Sequence, residues 1–208
     1  GFKIVLRLLD DSLAVSRLGF PALGYTPAQV DGLMNILNKP HGVTLLSGPV
    51  NSGKSTTLVE SYQYLRARHG SDYNIHTLEH PVEYRVPGIT QSNVRYTDHK
   101  DAGGAWARAM AALMRMDVNC IGLGEIRDGA CAEISQQLVD TGHKLLASIH
   151  AGDPWDAPSR FIKWGCVAES VWDCRFLSGV VSQELVPVLC PDCAIPYAAA
   201  PLIAPITG

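Results

Sequence analysis

A glycine-rich segment that ends in Lys-Ser-Thr is the part of the sequence best suited to chemistry. Residues 48–56 read GPVNSGKST and match the pattern G-x-x-x-x-G-K-[ST]. Its two glycines let the backbone curl so that successive N–H groups face an anion. The lysine reaches the β- and γ-phosphates, and the serine hydroxyl is a ligand for Mg²⁺. The pattern predicts a loop that binds a nucleoside triphosphate through Gly48, Pro49, Val50, Asn51, Ser52, Gly53, Lys54, Ser55 and Thr56.

The segments on both sides of this loop are those that such a site requires. Residues 43–46 are an apolar run typical of a buried strand, and residues 55–68 are predicted to be helical. A helix that starts at the loop directs the positive end of its dipole toward bound phosphates. A chance glycine-rich turn lacks this setting, so we favour the functional interpretation.

Predicted strands and helices alternate along the rest of the chain. Further strands are predicted over 73–79, 120–124, 145–149 and 185–189, the last at a sheet edge because Pro187 cannot donate a ladder bond. Helices are predicted over 27–37, 105–114, 130–139 and 155–164. This alternation predicts an α/β fold with a mostly parallel sheet and helices on both faces, in which ligands bind at the carboxyl ends of the strands.

Acidic residues and histidines occur at the ends of these strands. Glu79 and Glu83 follow the strand over 73–79, Glu125 follows the next, and His143 and His150 flank the strand over 145–149. A nucleoside triphosphatase needs a carboxylate for Mg²⁺, a group that orients the attacking water and a sensor of the γ-phosphate. Each residue alone is also explained as a solvated turn or a structural histidine. We expect them to converge at the carboxyl edge of the sheet.

The order of these motifs resembles that of the secretion traffic ATPases of type II secretion, type IV pili and conjugation systems. After the phosphate loop, residues 77–84 read TLEHPVEY and resemble the acidic box T-x-E-D-P-x-E-Y of that family. Residues 124–128 read GEIRD, identical to the third box, and residues 141–150 resemble the histidine box. The resemblance extends over about residues 2–193.

This resemblance implies a RecA-like P-loop core that forms a hexameric ring with ATP bound between protomers. Lys54 and Ser55 would then bind phosphates and Mg²⁺, and Glu125 would help to hold the metal ion through water. The implied cofactors are therefore ATP and Mg²⁺.

The resemblance also assigns roles to the remaining candidates. Glu83 is the first candidate for the carboxylate that activates water, with Glu79 in reserve, and His150 would sense the γ-phosphate. Arg7 aligns with an arginine that reaches the nucleotide of a neighbouring subunit, although an ordinary edge-strand arginine explains it equally well. His80 stands where the family usually has Asp, which predicts slow or more pH-dependent turnover.

Composition limits the classes of function. Apolar residues make up 47% of the 208 residues, enough for a sizeable core, and the formal net charge of −3 argues against a surface that binds nucleic acid throughout. No apolar run reaches the roughly 18 residues of a membrane-spanning helix. Six irregularly spaced cysteines favour reduced cytosolic thiols. With the resemblance, this predicts a cytoplasmic protein, peripheral to the bacterial inner membrane, with a membrane platform protein as partner and no direct contact with nucleic acid.

The chain is predicted to divide into four parts. Residues 1–10 are interpreted as the terminal strand of a preceding N-terminal domain, residues 11–25 as a linker, residues 26–190 as the ATPase domain and residues 191–208 as the start of a tail. Cys190 and Cys193 form a C-x-x-C pair, whereas a zinc site takes four ligands. Zinc is therefore expected only if a second pair lies beyond residue 208.

These observations favour an Mg-ATPase motor that drives assembly of a type IV-like pilus or of a secretion or conjugation machine. Two alternatives remain open. A nucleic-acid translocase on the same core would show hydrolysis stimulated by DNA. An ATP-binding assembly scaffold with little turnover is the interpretation that His80 allows.

Overall fold

The computed structural model describes residues 19–96, 101–189 and 192–194. Six strands form its sheet: β1 (Gly42–Ser47), β2 (Ile75–Glu79), β3 (Thr90–Asn93), β4 (Cys120–Leu123), β5 (Lys144–Ile149) and β6 (Leu177–Ser182). The helices are α1 (Pro27–Leu37), α2 (Lys54–His69), α3 (Ala102–Leu113), α4 (Gly129–Asp140), α5 (Asp156–Lys163) and α6 (Ala168–Val171). A short 3-10 helix over Phe20–Leu23, within the predicted linker, precedes α1.

All strand pairs in the sheet are parallel, and the strand order is β3-β2-β4-β5-β1-β6. Every residue of the central strands β1, β4 and β5 is buried, because helices cover both faces of the sheet. The predicted mostly parallel α/β arrangement is thus confirmed. Because the strands run in one direction, the residues that follow β1, β2, β4 and β5 meet at one edge.

Alternating side chains of the strands supply two separate apolar layers. On one face Leu46 and Leu146 pack with residues of α1 and α2, together with the buried Phe20. On the other face Val43 and Leu145 pack with residues of α3, α4 and α5. Burial on both faces fixes the strand register, since a slip by one residue would move the side chains of each face to the opposite face.

Helix α1 begins as its sequence predicts. The Thr26 hydroxyl accepts from the Gln29 backbone N–H, the Gln29 side chain accepts from the Thr26 backbone N–H, and Pro27 occupies the first turn. This reciprocal pair satisfies backbone donors that the helix leaves free.

The predicted edge strand over 185–189 is wrong. Those residues have no regular structure, and Leu185, Val186, Val188 and Leu189 are each more than 60% exposed. The edge position beside β1 belongs instead to β6, which lies just upstream and ends before Pro187. An apolar run without a covering partner gains nothing from pairing, and Pro187 removes a donor from the ladder.

Some sequence predictions fall outside the described residues. They are Arg7, the strand over 1–10, Cys190 and most of the tail beyond it. Cys193 is described and exposed. Within the described ranges, every helix is too short or too polar to cross a bilayer.

Candidate functional site

The phosphate loop and the groups after three other strands surround one cavity of about 470 Å³. The loop follows β1, Glu79 is the last residue of β2, Glu125 lies two residues after β4, and His150 directly follows β5. Glu83, in the segment after β2, lines the same cavity. Four of the predicted groups, Glu79, Glu83, Glu125 and His150, are therefore brought together with the loop.

The loop has the backbone shape that its glycines permit. Gly48 has φ 145° and Gly53 has φ 85°, and both lie in the region that favours glycine. A Cβ on Gly48 would overlap the carbonyl oxygen of Gln183, whose own N–H donates to Ser47 O at 3.0 Å. The Gln183 side chain also donates to Ser52 O at 2.7 Å. The first residues after β6 therefore support the loop from behind.

Lys54 is almost fully buried at the centre of the loop. Its Nζ donates to Gly48 O at 2.9 Å and to Pro49 O at 2.6 Å. Gly48 and Pro49 do not line the cavity, and their part in the site is to hold this ammonium group through their carbonyl oxygens. Burial lowers the pKa of Lys54, while the negative charge of Glu125 acts in the opposite direction. A phosphate at the cavity would supply further negative charge to this cation.

The first turn of α2 faces the same cavity. Ser55 and Thr56 are exposed there, next to the free backbone N–H groups of the helix N-terminus. Among the described residues no group of three or more acidic, histidine or cysteine side chains forms a metal cage. Mg²⁺ does not need one, since it keeps several waters and binds one or two carboxylates together with substrate phosphates. The pair of Ser55 and Glu125 fits that coordination.

Glu125 makes contacts on both sides. One carboxylate oxygen pairs with Arg127 Nε, and the other lies 3.5 Å from His150 Nε2. Arg127 also donates to the Tyr96 hydroxyl at 3.0 Å and lies over the Trp106 ring, 5.7 Å from its centroid. Glu125 is about one quarter exposed and His150 about one half. The histidine is thus accessible from the cavity while it stays beside the carboxylate.

Hydrogen bonds also hold the acidic segment after β2. Glu79 Oε1 accepts from Thr77 Oγ1 at 2.6 Å and from Gln91 Nε2 at 3.0 Å. His80, which stands in place of the family's Asp, donates from Nδ1 to Val94 O at 2.7 Å and stacks on the Tyr96 ring at 4.4 Å. The imidazole is therefore fixed against β3 and the residues after it.

His143 is not part of this site, contrary to the prediction. It precedes β5 and lies at the amino edge of the sheet, where it borders a second cavity with Lys39 and His69. Its Nδ1 donates to Leu138 O at 3.1 Å, which closes the end of α4. In a parallel sheet only the residue after a strand reaches the carboxyl edge, so His143 and His150 lie at opposite edges.

Several residues that shape the cavity have no role that the sequence alone indicates. Arg127 belongs to the GEIRD motif and Gln91 to none of the motifs above, and their contacts to Glu125 and Glu79 depend on folded geometry. Gln183 reaches the loop across 131 residues of sequence, and no local pattern indicates that contact. The position of Arg127, two residues after Glu125 in a strand-end motif, was the one signal that could have indicated its contact.

Comparisons with known proteins identify a matching family and several relatives. A model of the family described as type II/IV secretion system protein matches residues 1–203. Type II secretion system protein E of Dickeya dadantii is 38% identical over 197 residues, which are 95% of this chain and 37% of that protein. Type II secretion system ATPase E of Vibrio cholerae is 37% identical over 199 residues, which are 96% of this chain and 37% of that protein. The chain thus spans little more than a third of the length of either relative.

A solved structure has the same core. The crystal structure of the pilus retraction motor PilT with bound ADP aligns with a TM-score of 0.65 at 27% identity, covering 76% of this chain and 46% of that one. Together with the parallel sheet, this likeness confirms the predicted RecA-like α/β core.

Proposed function

Because this chain belongs to the family of type II/IV secretion system proteins, we propose that it binds and hydrolyses Mg-ATP to power a secretion or pilus machine. The observation that carries the proposal is the single cavity lined by the phosphate loop, Glu79, Glu83, Glu125 and His150. These groups come from different strand ends, and they are the residue types that phosphoryl transfer to water requires.

Nucleotide binding is the first step in this proposal. Backbone N–H groups of the loop and of the first turn of α2 hold the phosphates, and the ammonium group of Lys54 exchanges its bonds to loop carbonyl oxygens for bonds to phosphate oxygens. Mg²⁺ would be held by the Ser55 hydroxyl and, through water, by Glu125, and would neutralise developing charge on the phosphates. Arg127 keeps the Glu125 carboxylate oriented.

Hydrolysis is the second step. Glu83 accepts the proton of the attacking water, with Glu79 as the alternative base, and His150 contacts the γ-phosphate beside Glu125. The half-exposed position of His150 supports a sensing role, because a ligand in the cavity can reach the imidazole directly.

The remaining assignments follow from family membership. We propose a cytoplasmic hexamer at the bacterial inner membrane, with a membrane platform protein as partner and with Arg7 reaching the nucleotide of the neighbouring subunit. Residues 26–190 would be the ATPase domain, preceded by an N-terminal domain that ends in residues 1–10 and a linker over 11–25, and followed by the tail from residue 191. An arginine supplied by a neighbour contributes about 10³-fold or more to the rate in other nucleotide hydrolases, so an isolated subunit should be slow.

The test compares Glu83→Gln with the wild-type full-length protein at saturating Mg-ATP. Loss of the base should lower phosphate release at least about a hundredfold while ATP still binds, because the phosphate loop is intact. Glu133→Gln makes the same chemical change on the exposed face of α4 and should leave the rate unchanged.

Three other outcomes would redirect the assignment. If the wild-type protein binds ATP without releasing phosphate, the result supports the assembly scaffold. Hydrolysis that requires DNA is the translocase alternative. If phosphate release falls in Glu79→Gln but not in Glu83→Gln, Glu79 is the base instead of Glu83.

A further inference from the structure

The side chain of Gln91 connects three parts of the acidic segment. Its Nε2 donates to Glu79 Oε1 at 3.0 Å and to Tyr84 O at 2.8 Å, and its Oε1 accepts from the Val86 N–H at 2.8 Å. One amide group thus joins the end of β2 to the backbone on both sides of residue 85. The amide of a Gln side chain carries two N–H donors and an acceptor oxygen, and here both donors and the oxygen are engaged.

The register of the sheet places Gln91 for this task. In the parallel pair β2–β3, Thr77 is opposite Gln91, and both side chains donate to the same oxygen of Glu79. Two donors on Oε1 fix the plane of the Glu79 carboxylate. Both donors therefore act on the orientation of the Glu79 carboxylate.

The segment over residues 80–89 has no helix or strand of its own. Glu83 lies between Val82, whose N–H donates to Asn93 Oδ1 at 2.7 Å, and Tyr84, whose carbonyl oxygen accepts from Gln91. Gln91 and Asn93 are alternate residues of β3 and so project from the same side of the strand. The backbone on both sides of Glu83 is therefore held by side chains of β3.

We propose that Gln91 is a positioning residue for hydrolysis: it fixes the Glu79 carboxylate and the backbone that carries Glu83 relative to the phosphate loop. The inference rests on the proposed ATPase function of this cavity. Gln91 does not touch the phosphates in this scheme, so it should affect the chemical step and not nucleotide binding. Displacement of a base by about 1 Å can cost a hundredfold in rate, which is the scale on which lost anchoring acts.

Gln91→Glu is the sharpest variant in the full-length protein. The new side chain has the same shape and still accepts from the Val86 N–H, but it replaces the donor to Glu79 by a second negative charge. We expect kcat for Mg-ATP to fall about tenfold or more, while KM and the dissociation constant of ATP stay within about twofold. Gln137→Glu, the same change on the exposed side of α4, should leave kcat, KM and the melting temperature as in the wild type.

A second variant separates this inference from the function on which it rests. Gln91→Ala removes all three bonds, and amide hydrogen exchange should then accelerate in residues 80–86 but not in the phosphate loop. If the wild type releases no phosphate, the proposed function fails, and the exchange pattern alone decides whether Gln91 holds the segment. Unchanged kcat in Gln91→Glu, an equal loss of ATP affinity and rate, or unchanged exchange in Gln91→Ala would each overturn the proposal.

Discussion

Two lysines are buried at opposite edges of the same sheet, and their surroundings differ. Lys54, at the carboxyl edge, has three oxygen acceptors within 3.4 Å and is influenced by the carboxylate of Glu125. Lys144, at the amino edge, donates to Lys39 O. Besides burial, the groups that influence its pKa are the Cys120 thiol and the Lys39 ammonium group, and neither is a carboxylate. Burial lowers the pKa of both ammonium groups.

The cavities at the two edges of the sheet differ in the same way. Three carboxylates, from Glu79, Glu83 and Glu125, line the carboxyl-edge cavity together with two histidines, His80 and His150. The amino-edge cavity, about 350 Å³, is bordered by Lys39, His69 and His143, and no Asp or Glu of the described residues lines it. A buried cation is therefore not enough to mark a catalytic site. At the carboxyl edge, by contrast, the Lys54 ammonium group lies near carboxylates that come from other strand ends. The free backbone N–H groups at the start of α2 face the same cavity.

Matched substitution of the two lysines is the most direct test of this contrast. Lys54→Met removes the cation that we propose contacts the phosphates, and phosphate release should fall at least about a hundredfold, as when one stabilising group is removed from a transition state. Lys144→Met makes the same change at the other edge and should retain the wild-type rate. Steady-state phosphate release by the two variants measures both effects. Equal losses would show that the amino edge takes part in catalysis.

Two glycines with positive φ allow a second comparison of the edges. Gly48 begins the phosphate loop, and a Cβ there would meet Gln183 O and lie 2.7 Å from Ser52 Oγ. Gly142 precedes β5 with φ 90°, and a Cβ there would have no other atom within 4 Å, so Ala at this position meets only backbone strain. We expect Gly142→Ala to cost about 1–2 kcal/mol of unfolding free energy, the strain of a left-handed residue.

Gly48→Ala should cost about 2 kcal/mol more than Gly142→Ala, because overpacking adds to the backbone strain. It should also weaken ATP binding, whereas Gly142→Ala should not. Chemical denaturation together with fluorescence titration of a labelled nucleotide measures both quantities. Equal unfolding free energies for the two variants would mean that the loop and β6 separate easily.

Much of this contrast was predictable from sequence, because local patterns specify it. The phosphate loop, the buried strands β1, β4 and β5 and the cap at Thr26 follow from spacing and polarity alone. So does the convergence of Glu79, Glu125 and His150, since parallel strands bring their ends together. His143 was misplaced by counting both ends of β5, although the strand direction already excluded it.

The parts that sequence analysis missed depend on distant partners. The strand β3 has the polar sequence TQSN and lies at the sheet edge, so it lacks the apolar alternation that identifies a strand. Its role appears only when Gln91 is placed opposite Thr77. The error at residues 185–189 is the reverse: an apolar run predicted a strand where none forms. Within the described part of the chain, no layer covers its apolar residues.

The smallest expected effect concerns the pH dependence of stability at the amino edge. Burial lowers the pKa of Lys144 below its usual 10.5, and Cys120, with a pKa of about 12, stays a neutral thiol that supplies no counter-charge at neutral pH. Between the folded pKa and 10.5 the folded chain binds fewer protons than the unfolded chain, so the stability cost of Lys144 is full at lower pH and declines as pH rises.

Lys144→Met should therefore stabilise the protein by about 1 kcal/mol at neutral pH, and the gain should shrink toward pH 10 as the wild type loses the buried charge. Urea denaturation of both proteins at several pH values measures this difference. Lys163→Met, at an exposed lysine of α5, changes the net charge equally and should show no such trend. If the gain in unfolding free energy did not vary with pH, it would come from packing rather than from removal of a buried charge. The two lysines would then differ only in the residues that surround them.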